Sequence, residues 1–163
     1  NAPCAIRYPK TAVAPNPSYP TRPFMIGRWR SLLSGGDATV LAVGGMVGAA
    51  LKASQRLKDE GIGLEVINAS TIRPPDGMCL ARLTAKGKPI FTLEEHVVEG
   101  GFGSSLLEYN ALHGGRLTIL PIGVENRFIP HGDHASLLAE TGLDEESLYR
   151  RIRDTLKGAD DER

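Results

Sequence analysis

The sequence has 163 residues, a length that fits one compact domain, and its 41% apolar and 23% charged residues are typical of a globular protein with a packed core. Its 19 basic and 19 acidic side chains cancel, which argues against a dedicated nucleic-acid binder, because such proteins need a surplus of positive charge. No apolar run approaches the roughly 20 residues that span a bilayer, and the first residues do not resemble a signal peptide. We therefore expect a cytoplasmic protein that binds neither nucleic acid nor membrane.

The first part of the chain is rich in proline. Six of the eleven prolines fall within residues 1–23, and each removes a backbone donor and fixes φ, so this segment cannot be a helix. We expect a short extended strand over 2–8 and a stretched linker over 9–24. A lone strand followed by a linker has no core of its own. We therefore assign residues 1–24 to the end of a preceding domain and its linker, and residues 25–163 to the domain that follows.

From residue 25 onward, the pattern alternates between strands and helices. The continuous apolar run Ala38–Val43 is typical of a strand buried on both faces, and apolar residues recur at helical spacing from Met46 to Leu57. We predict strands at 26–33, 38–43, 64–67, 89–93 and 116–120. We predict helices from Met46 to just before Gly61 and at 77–85, 105–113, 135–140 and 144–156.

This alternation predicts an α/β fold. Strands joined by helices of ten or more residues must be mostly parallel, because only antiparallel neighbours can be linked by tight turns. We predict a three-layer α/β/α sandwich with a mostly parallel five-stranded sheet, in which one strand can run antiparallel. In such sheets, ligands and partners meet the loops that leave the carboxyl ends of the strands.

One candidate constellation directly follows the predicted strand 89–93. Glu94, Glu95 and His96 would project from the sheet edge into the loops. A carboxylate beside an imidazole favours its charged form, so the group can serve in acid–base chemistry or in an ion-paired interface. A solvated strand end explains the same residues equally well.

A glycine-rich loop comes next, with Gly100, Gly101 and Gly103 ahead of a predicted helix. Unpaired N–H groups at a helix start can hold an anion, but the third glycine of a dinucleotide fingerprint is missing. A loop that permits close approach of another chain is an equal alternative. The Ser105–Glu108 stretch fits a capping box that opens the helix.

His131 and His134 flank Asp133 near the end of the chain and resemble half of a metal site. No cysteine lies near them, so we expect no metal. We expect Asp133 to cap the following helix and His131 to face the loops. The sequence shows neither a nucleophile elbow nor a phosphate-binding loop with Gly-Lys-Ser/Thr, so we assign no catalytic residue.

Five segments carry a resemblance to a known family: Gly44–Val47 before an alanine-rich helix, Val66–Asp76, Thr92–Ser104, Arg127–Gly132 and Thr141–Asp144. Taken together, they resemble the C-terminal domain of transketolase-type thiamine diphosphate enzymes. The histidine–glycine loop and the opening Ile6–Pro9 are most similar to the 1-deoxy-D-xylulose-5-phosphate synthase branch. That branch condenses pyruvate with glyceraldehyde 3-phosphate in terpenoid precursor synthesis.

The resemblance implies a three-domain homodimeric enzyme. Its first two domains would hold thiamine diphosphate and Mg²⁺, and residues 1–24 would contain the end of the pyrimidine-binding domain. The third domain would support the dimer and border the channel for a sugar-phosphate substrate. We therefore expect the isolated chain to be inactive and to bind no cofactor itself.

The resemblance also suggests site residues, with two departures. Lys10 stands where an arginine is usual, and a lysine offers a point charge but no bidentate fork to a phosphate. Ser70 occupies the place of a second phosphate-binding arginine, while Arg73 occupies the lysine position of the following turn. The candidates for the substrate phosphate or channel are Arg7, Lys10, Arg73 and His131. The candidates for an interface or loop role are Glu94, Glu95, His96, Gly100, Gly101 and Gly103.

Two rival interpretations remain at this stage. The same domain recurs in transketolases split into sections and in the beta subunits of 2-oxo-acid dehydrogenases. Outside enzymes, the fold could form a regulatory module that holds an anion at residues 100–105.

Overall fold

The structure is a computed structural model and describes residues 3–6 and 23–161. The helices and strands alternate through most of this part of the chain. In chain order they are β1 (Arg30–Leu33), β2 (Ala38–Ala42), α1 (Met46–Asp59), β3 (Leu64–Asn68), α2 (Gly77–Lys86), β4 (Ile90–Val97), α3 (Phe102–Leu112), β5 (Ile119–Val124), α4 (His134–Glu140) and α5 (Glu145–Asp161).

The strands form one five-stranded sheet in the order β1-β3-β2-β4-β5. The pairs β2–β3, β2–β4 and β4–β5 are parallel, whereas β1 runs antiparallel to β3 at one edge. Each parallel connection contains a helix, as parallel strands require. The predicted fold class, with its single antiparallel strand, is confirmed.

Helices cover both faces of the sheet. On one face α1 and α5 pack against alternate side chains of the strands, and the cluster includes Val40, Val66, Phe91, Leu57 and Leu148. On the other face α2 and α3 pack against the intervening side chains, and the cluster includes Leu41, Ile67, Leu80, Phe102 and Leu106. Burial of each such side chain contributes about 1.5–3 kcal/mol, which is why the central strands are apolar on both faces.

The element bounds differ from the predicted ones at several ends. Residues 26 and 27 form a turn and residues 28 and 29 belong to no strand, so β1 begins only at Arg30. β4 continues past the predicted end to Val97. α3 begins at Phe102, three residues before the predicted capping box. β4 pairs with β5 as far as Val97, and the N–H group of Phe102 at the start of α3 donates to Glu94.

The predicted strand and linker near the start lie mostly outside the described residues. Residues 3–6 are in no helix or strand, and residues 7–22 fall outside the described range. The domain boundary at residue 24 therefore stays a prediction. Within the described part of the chain, no helix is both long and apolar enough to cross a membrane.

Candidate functional site

The loops that leave the carboxyl ends of the parallel strands lie along one edge of the sheet, which we call the rim. The rim comprises residues 43–45 after β2, 69–76 after β3, 98–101 after β4 and 125–133 after β5. It carries four of the eight candidate residues that the structure describes, and the other four lie beside it at the end of β4 and the start of α3. Open α/β sheets bind ligands and partners at this edge.

Glu94 lies buried beneath the rim, with 3% of its surface exposed. Its carboxylate accepts hydrogen bonds from the backbone N–H groups of Phe102, at 2.7 Å, and Gly103, at 2.8 Å. These N–H groups belong to the first turn of α3 and have no partner within the helix, and the helix dipole favours a negative charge there. A carboxylate of the same chain therefore serves as the anion at this helix start.

The glycines of the loop make this contact possible. A Cβ on Gly101 would lie 2.4 Å from Oε2 of Glu94 and 2.5 Å from the carbonyl oxygen of Val97. A Cβ on Gly103 would lie 2.6 Å from Oγ1 of Thr92. Real Cβ atoms do not approach other atoms so closely, so the backbone of α3 can reach β4 only with glycine at these positions.

Two expectations about this region need correction. Glu94 does not project into the loops with Glu95 and His96, because its carboxylate turns inward to the start of α3. The Ser105–Glu108 capping box does not open the helix either. Gly101 is the N-cap residue, and the Ser105 hydroxyl donates to the carbonyl of Phe102, at 2.7 Å, inside the first turn.

Glu95 and His96 are exposed at the end of β4. Oε1 of Glu95 lies 2.7 Å from Nε2 of His134, at the start of α4, and Nδ1 of His96 lies 2.8 Å from the carbonyl oxygen of Val97. The Glu95–His134 pair connects the end of β4 to the start of α4. Because both side chains are exposed, the pair contributes at most about 1 kcal/mol to stability.

The loop after β5 is held at both of its ends. Asp133 caps α4 by accepting from the N–H of Ser136 at 3.1 Å, as predicted, and hydrogen bonds from Ser136 lower the pKa of the Asp133 carboxyl. Arg127 contacts Glu140 at 3.1 Å. Between these anchors, Phe128 and His131 are exposed at the rim.

Sequence reasoning missed a second anchor, in the loop after β3. Asp76 caps α2 by accepting from the N–H of Cys79 at 3.0 Å, and its other oxygen accepts from the N–H of Trp29 at 2.8 Å. The indole N–H of Trp29 donates to the carbonyl of Thr71 at 2.8 Å. The partner of Asp76 lies 47 residues earlier in the chain, and no local sequence pattern links the two residues.

Of the four candidates for phosphate binding, the structure describes two, Arg73 and His131. Arg73 is exposed in the loop after β3, and His131 is exposed in the loop after β5. The Ser70 hydroxyl, which stands where the family has an arginine, donates to the carbonyl of Arg28 at 3.2 Å. Arg7 and Lys10 lie outside the described residues, so their roles stay predictions.

We tested whether the described residues fit thiamine diphosphate and its metal ion. Within 3–6 and 23–161, no group of three His, Cys, Asp or Glu side chains is placed to hold a metal. The N–H groups of Phe102 and Gly103 at the start of α3, which could otherwise donate to an anion, are already bonded to Glu94. A cleft of about 410 Å³ lies between α2 and α3 and is lined in part by Leu80, Tyr109 and Arg116. It offers no acidic group for Mg²⁺, so the described residues do not fit the cofactor.

Comparison with known proteins identifies the family to which this chain belongs. A family model described as the transketolase C-terminal domain matches residues 27–148. The chain is 39% identical over 156 residues to the 1-deoxy-D-xylulose-5-phosphate synthase of Aquifex aeolicus, covering 96% of this chain and 25% of that protein. It is 38% identical to the synthase of Carboxydothermus hydrogenoformans with the same coverage. The chain thus spans about a quarter of the length of these relatives.

Solved structures show the same likeness. A structure described as a split gene transketolase, an inactive beta4 tetramer, matches with a TM-score of 0.72 and 29% identity, covering 82% of this chain and 44% of that one. A transketolase mutant from Pichia stipitis matches with a TM-score of 0.55 and 19% identity, covering 79% of this chain and 18% of that one. The second likeness concerns the fold alone.

Proposed function

Because this chain belongs to the family of transketolase C-terminal domains, we propose that it is the C-terminal domain of a 1-deoxy-D-xylulose-5-phosphate synthase. The observation that carries the proposal is the 39% identity to the Aquifex aeolicus synthase over 96% of this chain. The whole enzyme would be a cytoplasmic transferase that condenses pyruvate with glyceraldehyde 3-phosphate for terpenoid precursor synthesis.

In this proposal the cofactor is held elsewhere in the protein. Thiamine diphosphate and Mg²⁺ would be bound by domains that precede this one, because the described residues do not fit them. The cofactor would supply the carbanion chemistry of two-carbon transfer. This domain would support a homodimer and form one wall of the channel to the active site. We expect the isolated chain to show no turnover.

The rim would form that wall. Arg73 and His131 would face the sugar-phosphate substrate, together with Arg7 and Lys10. Arg73 is exposed and can approach a phosphate, and an arginine can hold it with two parallel N–H bonds. Ser70 cannot replace the arginine of the family, so we assign the positive charge at this end of the rim to Arg73.

A second enzymatic candidate is a separate section of a transketolase. It is favoured by the split gene transketolase structure, whose TM-score of 0.72 is above that of the Pichia stipitis structure. The beta subunit of a 2-oxo-acid dehydrogenase stays a further alternative. The anion-binding module is disfavoured at residues 100–105, because Glu94 already occupies the N–H groups of Phe102 and Gly103.

Steady-state kinetics of the complete protein would test these proposals. With thiamine diphosphate and Mg²⁺ added, we expect release of CO₂ from pyruvate that depends on glyceraldehyde 3-phosphate. The 163-residue chain assayed alone should give none. Ketol transfer between sugar phosphates without pyruvate would favour a transketolase instead, and acyl transfer from a 2-oxo acid would favour the dehydrogenase subunit.

The role of Arg73 can be separated from overall activity. In the complete protein, Arg73→Ala should raise KM for glyceraldehyde 3-phosphate about 10- to 100-fold, because a charge-assisted contact contributes about 1.5–3 kcal/mol. KM for unphosphorylated glyceraldehyde should stay the same. Arg116→Ala is the matched control, since Arg116 is also exposed but lies ahead of β5, at the opposite edge. Equal effects on both aldehydes would contradict a phosphate contact at Arg73.

A further inference from the structure

Five large apolar side chains are exposed at the end of the rim beside β1. They are Phe24, Met25, Ile26, Ile72 and Met78, with exposed fractions of 67%, 59%, 72%, 43% and 67%. We call this surface the β1-end patch. Soluble monomers rarely expose several large apolar side chains on adjoining segments, and such surfaces mark protein contacts.

Specific contacts join residues 27 and 28 to the two other segments that carry the patch, the loop after β3 and α2. Nη1 of Arg28 lies 2.8 Å from Sδ of Met78, and the carbonyl of Arg28 accepts from the Ser70 hydroxyl. A Cβ on Gly27 would lie 3.4 Å from Cγ of Pro74. Gly27 and Arg28 therefore lie against the loop after β3 and the first turn of α2, and residues 24–26 directly precede them in the chain.

The segment is also fixed to the fold just after the patch. Asp76 and Thr71 hold both N–H groups of Trp29, and the Trp29 ring packs edge-on against Phe102, with centroids 5.8 Å apart. The exposed side chains ahead of Trp29 are thus presented on an anchored backbone. Because its backbone is already anchored, this apolar surface can be buried against a partner with little loss of conformational entropy.

The route of the chain indicates what covers this patch. Residues 24–26 are part of the patch, and they lie within three residues of Pro23, where the long described segment of the chain begins. The curated relatives are about four times as long as their match to this chain. Any domain that precedes this one in the longer protein is therefore tethered beside the patch at high effective concentration.

We infer that the β1-end patch is the surface on which the immediately preceding domain of the longer protein docks. The inference rests on the proposed function, because that proposal supplies the preceding domain. Docking there would bury Phe24, Met25 and Met78 and bring the preceding domain against the loop that carries Arg73.

Methionine oxidation tests this directly, since the three methionines are Met25, Met46 and Met78. Hydrogen peroxide converts an accessible methionine to its sulfoxide, and mass spectrometry gives the rate at each position. In the 163-residue chain, Met25 and Met78 should react quickly and Met46, which is 2% exposed, slowly. In the complete protein, Met25 and Met78 should react at least tenfold more slowly, at every protein concentration.

Each other outcome overturns the inference. Equal rates in the two proteins would mean that the patch stays open. Protection that appears only as the protein concentration rises would assign the patch to a second copy. Slow reaction already in the 163-residue chain would assign it to a segment of this chain, and a reading frame without a preceding domain would remove the proposed occupant.

A variant pair gives a second measurement. Ile26→Asp in the complete protein should restore fast oxidation of Met25 and Met78, because a charge in the interface opposes docking. Leu112→Asp is the control, since Leu112 is 82% exposed on α3 and should leave both methionines protected. The oxidation rates do not depend on turnover. If Met25 and Met78 are protected but the complete protein has no synthase activity, only the proposed function is contradicted. If the complete protein is active but these methionines are not protected, only this inference is contradicted.

Discussion

The carboxylate of Glu94 lies 2.7 Å from the backbone nitrogen of Phe102, and both residues are buried. A buried carboxylate is costly unless hydrogen bonds satisfy it, and the first N–H groups of a helix are equally costly to leave unpaired. Here each group satisfies the other. The contact fixes the start of α3 against the end of β4 and so holds the loop 98–101 in place at the rim.

Replacing Glu94 with glutamine should therefore destabilise the domain. The amide would direct its NH₂ group toward one of the two backbone donors, and the charge that complements the helix dipole would be lost. We expect the free energy of unfolding, measured by urea denaturation, to fall by about 2–3 kcal/mol. Glu99→Gln removes an exposed carboxylate from the same loop and should change it by less than about 0.5 kcal/mol. Equal stability of both variants would show that the Glu94 contact contributes nothing.

Two glycine substitutions should change stability in opposite directions. A Cβ on Gly103 would lie 2.6 Å from Oγ1 of Thr92 and 2.8 Å from Cβ of Pro121, so Gly103→Ala should lower the unfolding free energy by about 1–3 kcal/mol. Gly48 lies within α1, and a Cβ added there would meet no other atom within 4 Å. Gly48→Ala should raise stability by about 0.5–1 kcal/mol, because alanine is the better helix former. A stabilising Gly103→Ala would rule out the close approach of α3 to β4.

Much of the fold was accessible from the sequence because the local signals agreed with the tertiary contacts. β2 and β3 are largely apolar runs, and a strand buried on both faces requires such runs. The order of the strands was not accessible. The order depends on which strands become neighbours after each crossover connection, and the composition of a strand does not indicate its neighbour.

The contact at Glu94 shows why part of the site could not be predicted. The sequence indicated both an acidic residue after a strand and a glycine loop that could hold an anion, but a carboxylate is usually exposed. Only the folded loop brings the two features together, eight residues apart. The signal that could have linked them was the pair Gly101 and Gly103, since glycine at both positions is what close approach to β4 requires.

Asp76 and Trp29 offer a test with a built-in reporter, because Trp29 is the single tryptophan of the chain. Asp76→Ala removes the cap of α2 and the acceptor of the backbone N–H of Trp29. We therefore expect the free energy of unfolding to fall by about 1–3 kcal/mol. The fluorescence of Trp29 should shift to longer wavelength as its segment loosens. Asp59→Ala, at an exposed position in α1, should leave both quantities unchanged. An unaltered emission spectrum in Asp76→Ala would contradict the anchoring role.

Glu65 should give the domain a distinct acid sensitivity. Its side chain lies on β3 and contacts Arg82 at 2.6 Å and Lys86 at 2.9 Å. Burial raises the pKa of the Glu65 carboxyl, but the hydrogen bonds from Arg82 and Lys86 outweigh it and hold the pKa below its usual value. The unfolded chain therefore takes up this proton first as the pH falls. The stability from Glu65 is fully present above about pH 4.3 and is lost as the pH drops through the folded pKa.

The difference in unfolding free energy between the native chain and Glu65→Gln measures this effect. At pH 7 we expect the variant to be less stable by about 1–3 kcal/mol. Half of the Arg82 side chain is exposed, so solvent weakens the part of this stabilisation that comes from the Glu65–Arg82 ion pair. The difference should shrink as the pH is lowered from about 5 toward about 3. Glu108→Gln, which removes an exposed carboxylate from α3, should differ from the native chain by less than about 0.5 kcal/mol throughout. A difference for Glu65→Gln that is independent of pH would mean that the charge on this carboxylate does not stabilise the fold.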